Sequence, residues 1–514
     1  MPDIEKSSSY DEVPYPSFTF PQTHPNRLAA MARLFGLRTA DPEKCRVLEL
    51  GCGDGTNLLS FAYVLPHSEF VGIDLSATHI DAAKAALCEL GLLNALFHQM
   101  DLMEFDSAQN GEFDFIIAHG LVSWVPDFVR ERVFAIFRDC LTPNGVGYVS
   151  YNAFPGCRTR QVAWDLMKFH AGAVKDPKHK VEQGLAALDF VANATDDEYG
   201  YRSLLKLERD QIAGRSLPNV IHDDFGEVNQ PFYFHEVASM LDRAGLQYVC
   251  EAEPTSMNDG PIPAEVLSSL PSAVDDIVRR EQYLDFIKFR RFRSNLFCRN
   301  DIELDRKIDP LVFEDLMISG RVTSDSSDAA IKDGSIVRFV APNGTSVSIS
   351  HPLTKVMVAY LGSVWSQAVG FKDLVMIAGS ALGESEVADA DRKQAATFLL
   401  QMLFAGFIEI HLFRPNLTSE VSDMPAASVF ARWQAKKGCG SVTTLWGLNV
   451  DTSDVFMTVL LELLDGTRNH AMLVDAVKSS IEVPEEQREG FYRQLPTMVI
   501  AKVEELARFG FLVS

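Results

Sequence analysis

The chain has 514 residues, enough for about three domains at 100–200 residues each, and its 47% apolar and 23% charged residues exclude a disordered polymer. The formal net charge of −23 is spread along the sequence, which disfavours a nucleic-acid partner and is compatible with a cationic, lysine-bearing one. The eight cysteines are scattered without a C-x-x-C pair, and the N-terminus, Met1 to Tyr10, is polar. With the longest apolar run, 396–413, broken by Gln401, Gly406, Glu409 and His411, these features predict a cytoplasmic protein without membrane insertion.

In chain order, residues 10–26 carry Tyr10, Tyr15, Phe18 and Phe20 among Pro14, Pro16, Pro21 and Pro25. The prolines argue against a helix, and the aromatics imply an arm docked on the following domain. Residues 27–37 read as a helix. From Arg46 strands (46–50, 70–74, 95–100, 113–119, 146–151) alternate with helices (56–64, 77–90, 128–140), which requires parallel strands joined by crossover helices. Residues 157–225 break this rhythm with charged helices and read as an insertion. A helix (234–244), a strand (246–251), a helix (274–289) and a strand (294–298) then complete a sheet of seven strands. The longest apolar run reads as a buried helix followed by a strand. After a Ser/Asp linker at 324–328, a pattern of helix, helix and helix–Gly–strand occurs twice: at 353–361, 371–374 and 403–408, and again at 456–464, 472–474 and 506–512. It predicts two winged-helix-like modules, with two unrelated helical bundles as the alternative.

The strongest local signal is Val47-Leu48-Glu49-Leu50-Gly51-Cys52-Gly53-Asp54-Gly55-Thr56-Asn57, a strand running into a glycine-rich turn that opens a helix. Positions without side chains let the backbone approach a ligand at the carboxyl ends of the strands. The spacing is not that of a dinucleotide fingerprint, and Glu49 and Asp54 would repel a pyrophosphate. They suit a ligand with an ammonium or sulfonium group, and S-adenosylmethionine has both. Asp74 ends the second strand, where a carboxylate accepts ribose hydroxyls. Asp101 follows the third strand, placed to accept from an adenine amino group.

This series resembles the class I S-adenosylmethionine-dependent methyltransferases. The resemblance implies a seven-stranded Rossmann-like α/β core whose last strand, 294–298, is the antiparallel edge. It also implies a cofactor set of Glu49, Gly51, Gly53, Asp54, Gly55, Asn57, Asp74, Leu75, Asp101, Leu102, His119 and Gly120. Further segments are similar to methyltransferases carrying a methyltransferase regulatory domain, among them the rickettsial protein lysine methyltransferases. They include Tyr10-Asp11-Glu12-Val13-Pro14-Tyr15, His119-Gly120-Leu121-Val122-Ser123-Trp124, Ser150-Tyr151-Asn152-Ala153-Phe154-Pro155-Gly156 and Gln282-Tyr283-Leu284-Asp285-Phe286.

The expected organisation is an arm and helix over the cofactor site (1–45), the first part of the core (46–156), a helical insertion for substrate or dimerisation (157–230), the regulatory-like remainder of the core (231–300), and winged-helix-like middle (301–430) and C-terminal (431–514) domains. The candidate catalytic residues are Trp124, Tyr151, Tyr15 and His119, with Tyr10, His24 and Asn152 as further lining groups. His222-Asp223-Asp224 reads as a solvated loop rather than a metal site, and Lys288 to Arg293 as a source of internal salt bridges. The expected reaction is methylation of protein lysines by S-adenosylmethionine, by a chain that could form a homodimer. A small-molecule methyltransferase and a cofactor-binding scaffold without turnover are the alternatives.

Overall fold

The computed structural model describes residues 17–513. Its centre is a sheet of β1 (Arg46–Leu50), β2 (Glu69–Asp74), β3 (Ala95–Gln99), β4 (Phe113–Ala118), β5 (Leu141–Asn152), β6 (Leu246–Glu251) and β7 (Phe292–Arg299). The strand order is β3-β2-β1-β4-β5-β7-β6, with β7 antiparallel to both neighbours and the pairs among β1–β5 parallel. The order reverses between β1 and β4, which leaves a crevice at their carboxyl ends where ligands of such sheets bind. The last strand is antiparallel as expected, but it is not the edge. It lies between β5 and β6, and β6 takes the edge.

Side-chain alternation fixes which face each residue serves. Val47 packs into one core layer and Leu48 and Leu50 into the opposite one. Glu49 therefore points with Val47, toward the helix Thr56–Val64. The two described prolines of the arm, Pro21 and Pro25, begin helices rather than prevent them. Pro21 opens a single 3₁₀ turn, Pro21–Thr23, and Pro25 is the first residue of the helix Pro25–Arg33. A proline at that position gives up an N–H that has no helical partner. The His24 ring accepts from the Asn26 N–H at 3.1 Å and caps the helix.

Helices Cys157–Ala171, Pro177–Ala194, Tyr201–Ala213 and Leu217–Asp224 form the insertion around a small core that includes Met167, Leu188, Leu205 and Ile212. The His222–Asp224 segment is helical and not a solvated loop. Asp224 is fully buried, accepts from Trp164 Nε1 at 2.6 Å and pairs with Arg160 and Arg215. No group of three metal-ligating side chains forms among the described residues.

The tail builds the same module twice. In the first, β8 (Met317–Ser319) lies between β11 (Val369–Gly370) and β12 (Glu409–His411). It carries the hairpin β9 (Val337–Val340) and β10 (Ser346–Ile349) and the helices Pro352–Ser363, Phe371–Leu382 and Asp389–Phe404. In the second, Ala426 bridges Asp465 and Ala427 bridges Leu512. The hairpin is β13 (Ser441–Thr443) and β14 (Asn449–Asp451), and the helices are Val455–Leu463, His470–Ser480 and Glu485–Arg508. Gly406 and Gly510, at φ +79 and +77, turn the third helix into the closing strand segment in each.

The basic run at the end of the core is consumed internally. Arg293 is fully buried, donates to Asp285 Oδ2 at 2.9 Å and Glu281 Oε2 at 3.0 Å, and pairs with Glu251. Arg290 pairs with Asp285 and Glu251, and Arg291 with Glu208. Removing one partner from such a network leaves unmatched buried charge. Arg293→Met should therefore destabilise the fold by about 3–5 kcal/mol in denaturant unfolding. A loss below about 1 kcal/mol, the range of exposed pairs, would contradict this.

Candidate active site

The turn after β1 is held in place by its neighbours. The Gly51 and Cys52 N–H groups both donate to the Ile73 carbonyl, at 2.8 and 3.0 Å, and the Gly53 N–H donates to Asp74 Oδ2 at 2.9 Å. Gly55 has φ +75, and a Cβ there would lie 2.6 Å from the Phe97 ring, so only glycine fits. Gly53 has φ +55, and a Cβ would meet nothing within 4 Å. The space beside Gly53 is open, at the crevice where the strand order reverses.

Glu49 is 3% exposed. Its Oε1 accepts from Asn57 Nδ2 at 2.9 Å, while its Oε2 is buried without a partner among the described residues. Burial pushes this carboxyl up to about 8, the Asn57 hydrogen bond opposes the rise, and Asp54 and Asp74 add to it. Asp74 behaves differently. Burial acts to raise it too, but His79 and the backbone N–H groups of Ser76 and Gly53 hold it below the usual carboxylate range. No lysine or arginine pairs with Glu49 or Asp74 among the described residues. The unmatched Glu49 oxygen and the open space at Gly53 fit the ammonium end of the methionine moiety of S-adenosylmethionine.

The remaining candidates fall into three groups. Asn57, Asp54, His119 and Gly120 lie around the turn, and the first three are tied together through the arm. The Phe20 N–H donates to Asn57 Oδ1 at 2.8 Å, the Ser17 hydroxyl donates to the Asp54 carboxylate, and the Phe20 ring stacks on His119 at 3.8 Å. His119 Nδ1 lies 2.9 Å from the Tyr148 hydroxyl, and burial lowers the imidazole to about 4. The Gly120 N–H donates to Ser150 Oγ at 2.8 Å. Asp101 caps the short turn Leu102–Glu104 through the Met103 N–H, Leu102 is buried beneath it, and Leu75 is 52% exposed beside Asp74.

The second group leaves the site. Tyr151 is 1% exposed in the opposite core layer, where its hydroxyl donates to Asn295 Oδ1 at 2.7 Å and its ring packs against Phe232. It cannot line a substrate channel. Strand alternation puts Tyr148 and Ser150 on the His119 side instead, a signal present in the sequence. His24 is a buried helix cap lowered to about 3 by burial, not a lid group. Asn152 is buried and donates to Asn229 Oδ1 at 2.8 Å, and Trp124 is half-buried with its ring edge against Gly226. Tyr10 and Tyr15 form the third group and lie outside the described residues. Thr19, Phe20, Tyr148 and Ser150 were not singled out from the sequence.

A separate open cavity of about 830 Å³ lies between the helices Asp127–Cys140 and Phe234–Arg243, lined by Arg130, Phe134, Gln230, Phe232 and Glu236. It shares no residue with the turn, and its Arg130 is committed to the Val122 and Val125 carbonyls.

Residues 47–145 match a methyltransferase domain, residues 218–299 a predicted methyltransferase regulatory domain, and residues 423–487 the C-terminal winged helix domain of PKMT. An uncharacterized protein of Rickettsia prowazekii, RP789, is 29% identical over 99% of this chain and 94% of its own length. A second from the same organism, RP028, is 34% identical over 44% of this chain and 91% of its own length. The solved structure of PKMT2 from Rickettsia typhi, in complex with AdoHcy, superposes with a TM-score of 0.86 at 26% identity, covering 98% of this chain and 100% of that one. The chain belongs to the class I S-adenosylmethionine-dependent methyltransferases that carry a methyltransferase regulatory domain.

The elevated Glu49 carboxyl makes a test that needs no ligand. Unfolded, this group titrates near the ordinary 4.5; folded, it holds its proton to about 8. Between those values the unfolded chain releases a proton that the folded chain keeps, so ionisation costs the fold stability as pH rises. Glu49→Gln removes the cost. Its thermal unfolding midpoint should climb relative to the native protein from about pH 5 to about pH 8. A pH-independent difference would contradict the assignment.

Proposed function

We propose that the protein transfers methyl groups from S-adenosylmethionine to lysine side chains of a protein acceptor. The observation that carries this reading is the extent of the likeness to PKMT2, read as a protein lysine methyltransferase. It covers 98% of the chain, and so includes the insertion and both C-terminal modules as well as the core. A shared core alone would support methyl transfer without favouring an acceptor.

In this reading Glu49 receives the cofactor's ammonium, and the backbone of Gly51, Gly53 and Gly55 runs beside its methionine moiety. Asn57 and Asp54 hold the turn and the arm in place. Asp74 and Leu75 serve the ribose, Asp101 and Leu102 the adenine, and His119 and Gly120 border the end toward the acceptor. When bound, S-adenosylmethionine supplies a methyl group made electrophilic by its sulfonium.

The chain's own task is to present a neutral amine. A free lysine has a reference pKa of about 10.4. Burial holds the His119 imidazole at about 4, far below a lysine amine, so it is a poor acceptor for that proton. The proton therefore leaves to water, and partial desolvation against the Phe20 ring favours the neutral amine. Single-turnover rates should rise from neutral pH toward about 9, with the same slope in His119→Ala. A bell-shaped profile centred near 6.5 that disappears in His119→Ala would make the histidine the base and overturn this account.

The reading extends to location and assembly. All eight cysteines are free, which supports a reducing cytoplasm, and no helix among the described residues is long and apolar enough to cross a membrane. The acidic net charge and the internal pairing of Arg290, Arg291 and Arg293 argue against a nucleic-acid substrate. The proposal includes a homodimer through the insertion, which carries the exposed Phe169, Phe190 and Tyr199. Sedimentation should show a dimer that dissociates in Phe169→Asp/Phe190→Asp. An unchanged species in the double variant would contradict that interface.

A further inference from the structure

We propose that Asn449, on the hairpin of the C-terminal module, is a positioning residue for the cofactor site, holding the segment 17–23 as a strap across the glycine-rich turn. The inference rests on the cofactor reading above and adds to it a residue remote in sequence from every methyltransferase motif.

The strap is held from two sides. On the C-terminal side, Asn449 Oδ1 accepts from the Thr19 N–H at 3.2 Å and the Thr19 hydroxyl at 2.9 Å, and Asn449 Nδ2 donates to the Thr19 carbonyl at 2.8 Å. The same hydroxyl lies 2.7 Å from the Gly447 carbonyl. One amide side chain thus engages both backbone polar groups of one residue, as a neighbouring strand would. Thr19 is 1% exposed.

On the core side, the strap reaches the glycine-rich turn and His119. Ser17 donates to Asp54, the Phe20 N–H donates to Asn57, and Asn57 Nδ2 donates both to Thr23 Oγ1 at 3.1 Å and to Glu49. The Phe20 ring covers His119. Asn57 is therefore shared between the strap and the carboxyl assigned to the ammonium. A shift of the strap must disturb the hydrogen bond that fixes Glu49.

The hairpin is a firm anchor. The Leu445 N–H donates to the Gly510 carbonyl at 2.9 Å. The Trp446 indole donates to the Ser366 carbonyl at 3.0 Å and packs on His411 with ring centres 4.2 Å apart. Both winged-helix-like modules hold the hairpin, and the hairpin holds the strap. Release of the cofactor or its product from beneath the strap requires the Thr19–Asn449 contacts to open, or the strap to slide past them.

The test uses the full-length protein and S-adenosylhomocysteine as probe, so that it does not depend on turnover. Release of labelled S-adenosylhomocysteine, chased with unlabelled ligand, should be about tenfold faster in Asn449→Ala, since several net-stabilising hydrogen bonds are lost. Asn449→Asp, which keeps the acceptor but not the donor, should recover part of the effect. Thr19→Ala should act similarly, and the double variant should fall short of the product of the two singles. In the ligand-free protein, the His119 ring resonances should move in Asn449→Ala as the Phe20 stack loosens. Native release rates and native His119 resonances in folded Asn449→Ala would overturn the strap alone. Failure of the native protein to bind S-adenosylhomocysteine would overturn the cofactor reading, and the strap with it.

Discussion

A carboxyl group closed off from water must share its site with a proton or a cation, and Glu49 is held in that position. One oxygen is satisfied by Asn57 and the other faces no protein donor among the described residues. Asn57 links this group to the segment 17–23 and so to the packing around the glycine-rich turn. The turn stays open at Gly53, where a Cβ would find empty space, and closes tightly at Gly55. The cost of burying a carboxyl without a partner falls on the ligand-free protein, and in the proposed reading an ammonium ligand relieves it. The arrangement stores binding energy at the expense of stability, a common trade at functional sites.

The rest of the molecule supports that site from a distance. The buried Arg293, Glu251 and Asp285 network joins β7, β6 and the helix Ile277–Lys288, so the regulatory-domain segment is continuous with the sheet rather than appended to it. The helix Pro25–Arg33 lies between the core and the first module, where Asn26 Oδ1 accepts from the Leu412 N–H at 2.7 Å. Arg27 joins Glu409 of that module and Glu253 of the core. The modules thus bear on the part of the chain that carries the strap.

Much of this was legible in the sequence because it is local. A strand that runs into Gly51-Cys52-Gly53-Asp54-Gly55 declares the turn, and the acidic ends of β1 and β2 declare the ligand's charge. The repeat in the tail was visible in Gly406 and Gly510, which end the third helix of each module alike. Motif proximity points to Tyr151, but strand parity decides the face: Tyr148 and Ser150 share the face of His119, and Tyr151 does not. The position of β7 inside the sheet was hidden because alternation gives strand identity but not strand order. The Thr19–Asn449 clamp spans 430 residues, and neither residue type announces its partner. Such contacts exist only once the modules have docked.

The most direct test of the account is the proton balance of cofactor binding. Calorimetric titration with S-adenosylmethionine at pH 7, in two buffers of different ionisation enthalpy, counts the protons exchanged. A Glu49 carboxyl at about 8 is mostly protonated at that pH and must ionise to pair with the arriving ammonium. The account predicts release of close to one proton per site in the native protein and almost none in Glu49→Gln, which should also bind more weakly. Tight binding by the native protein with no proton exchanged would contradict it.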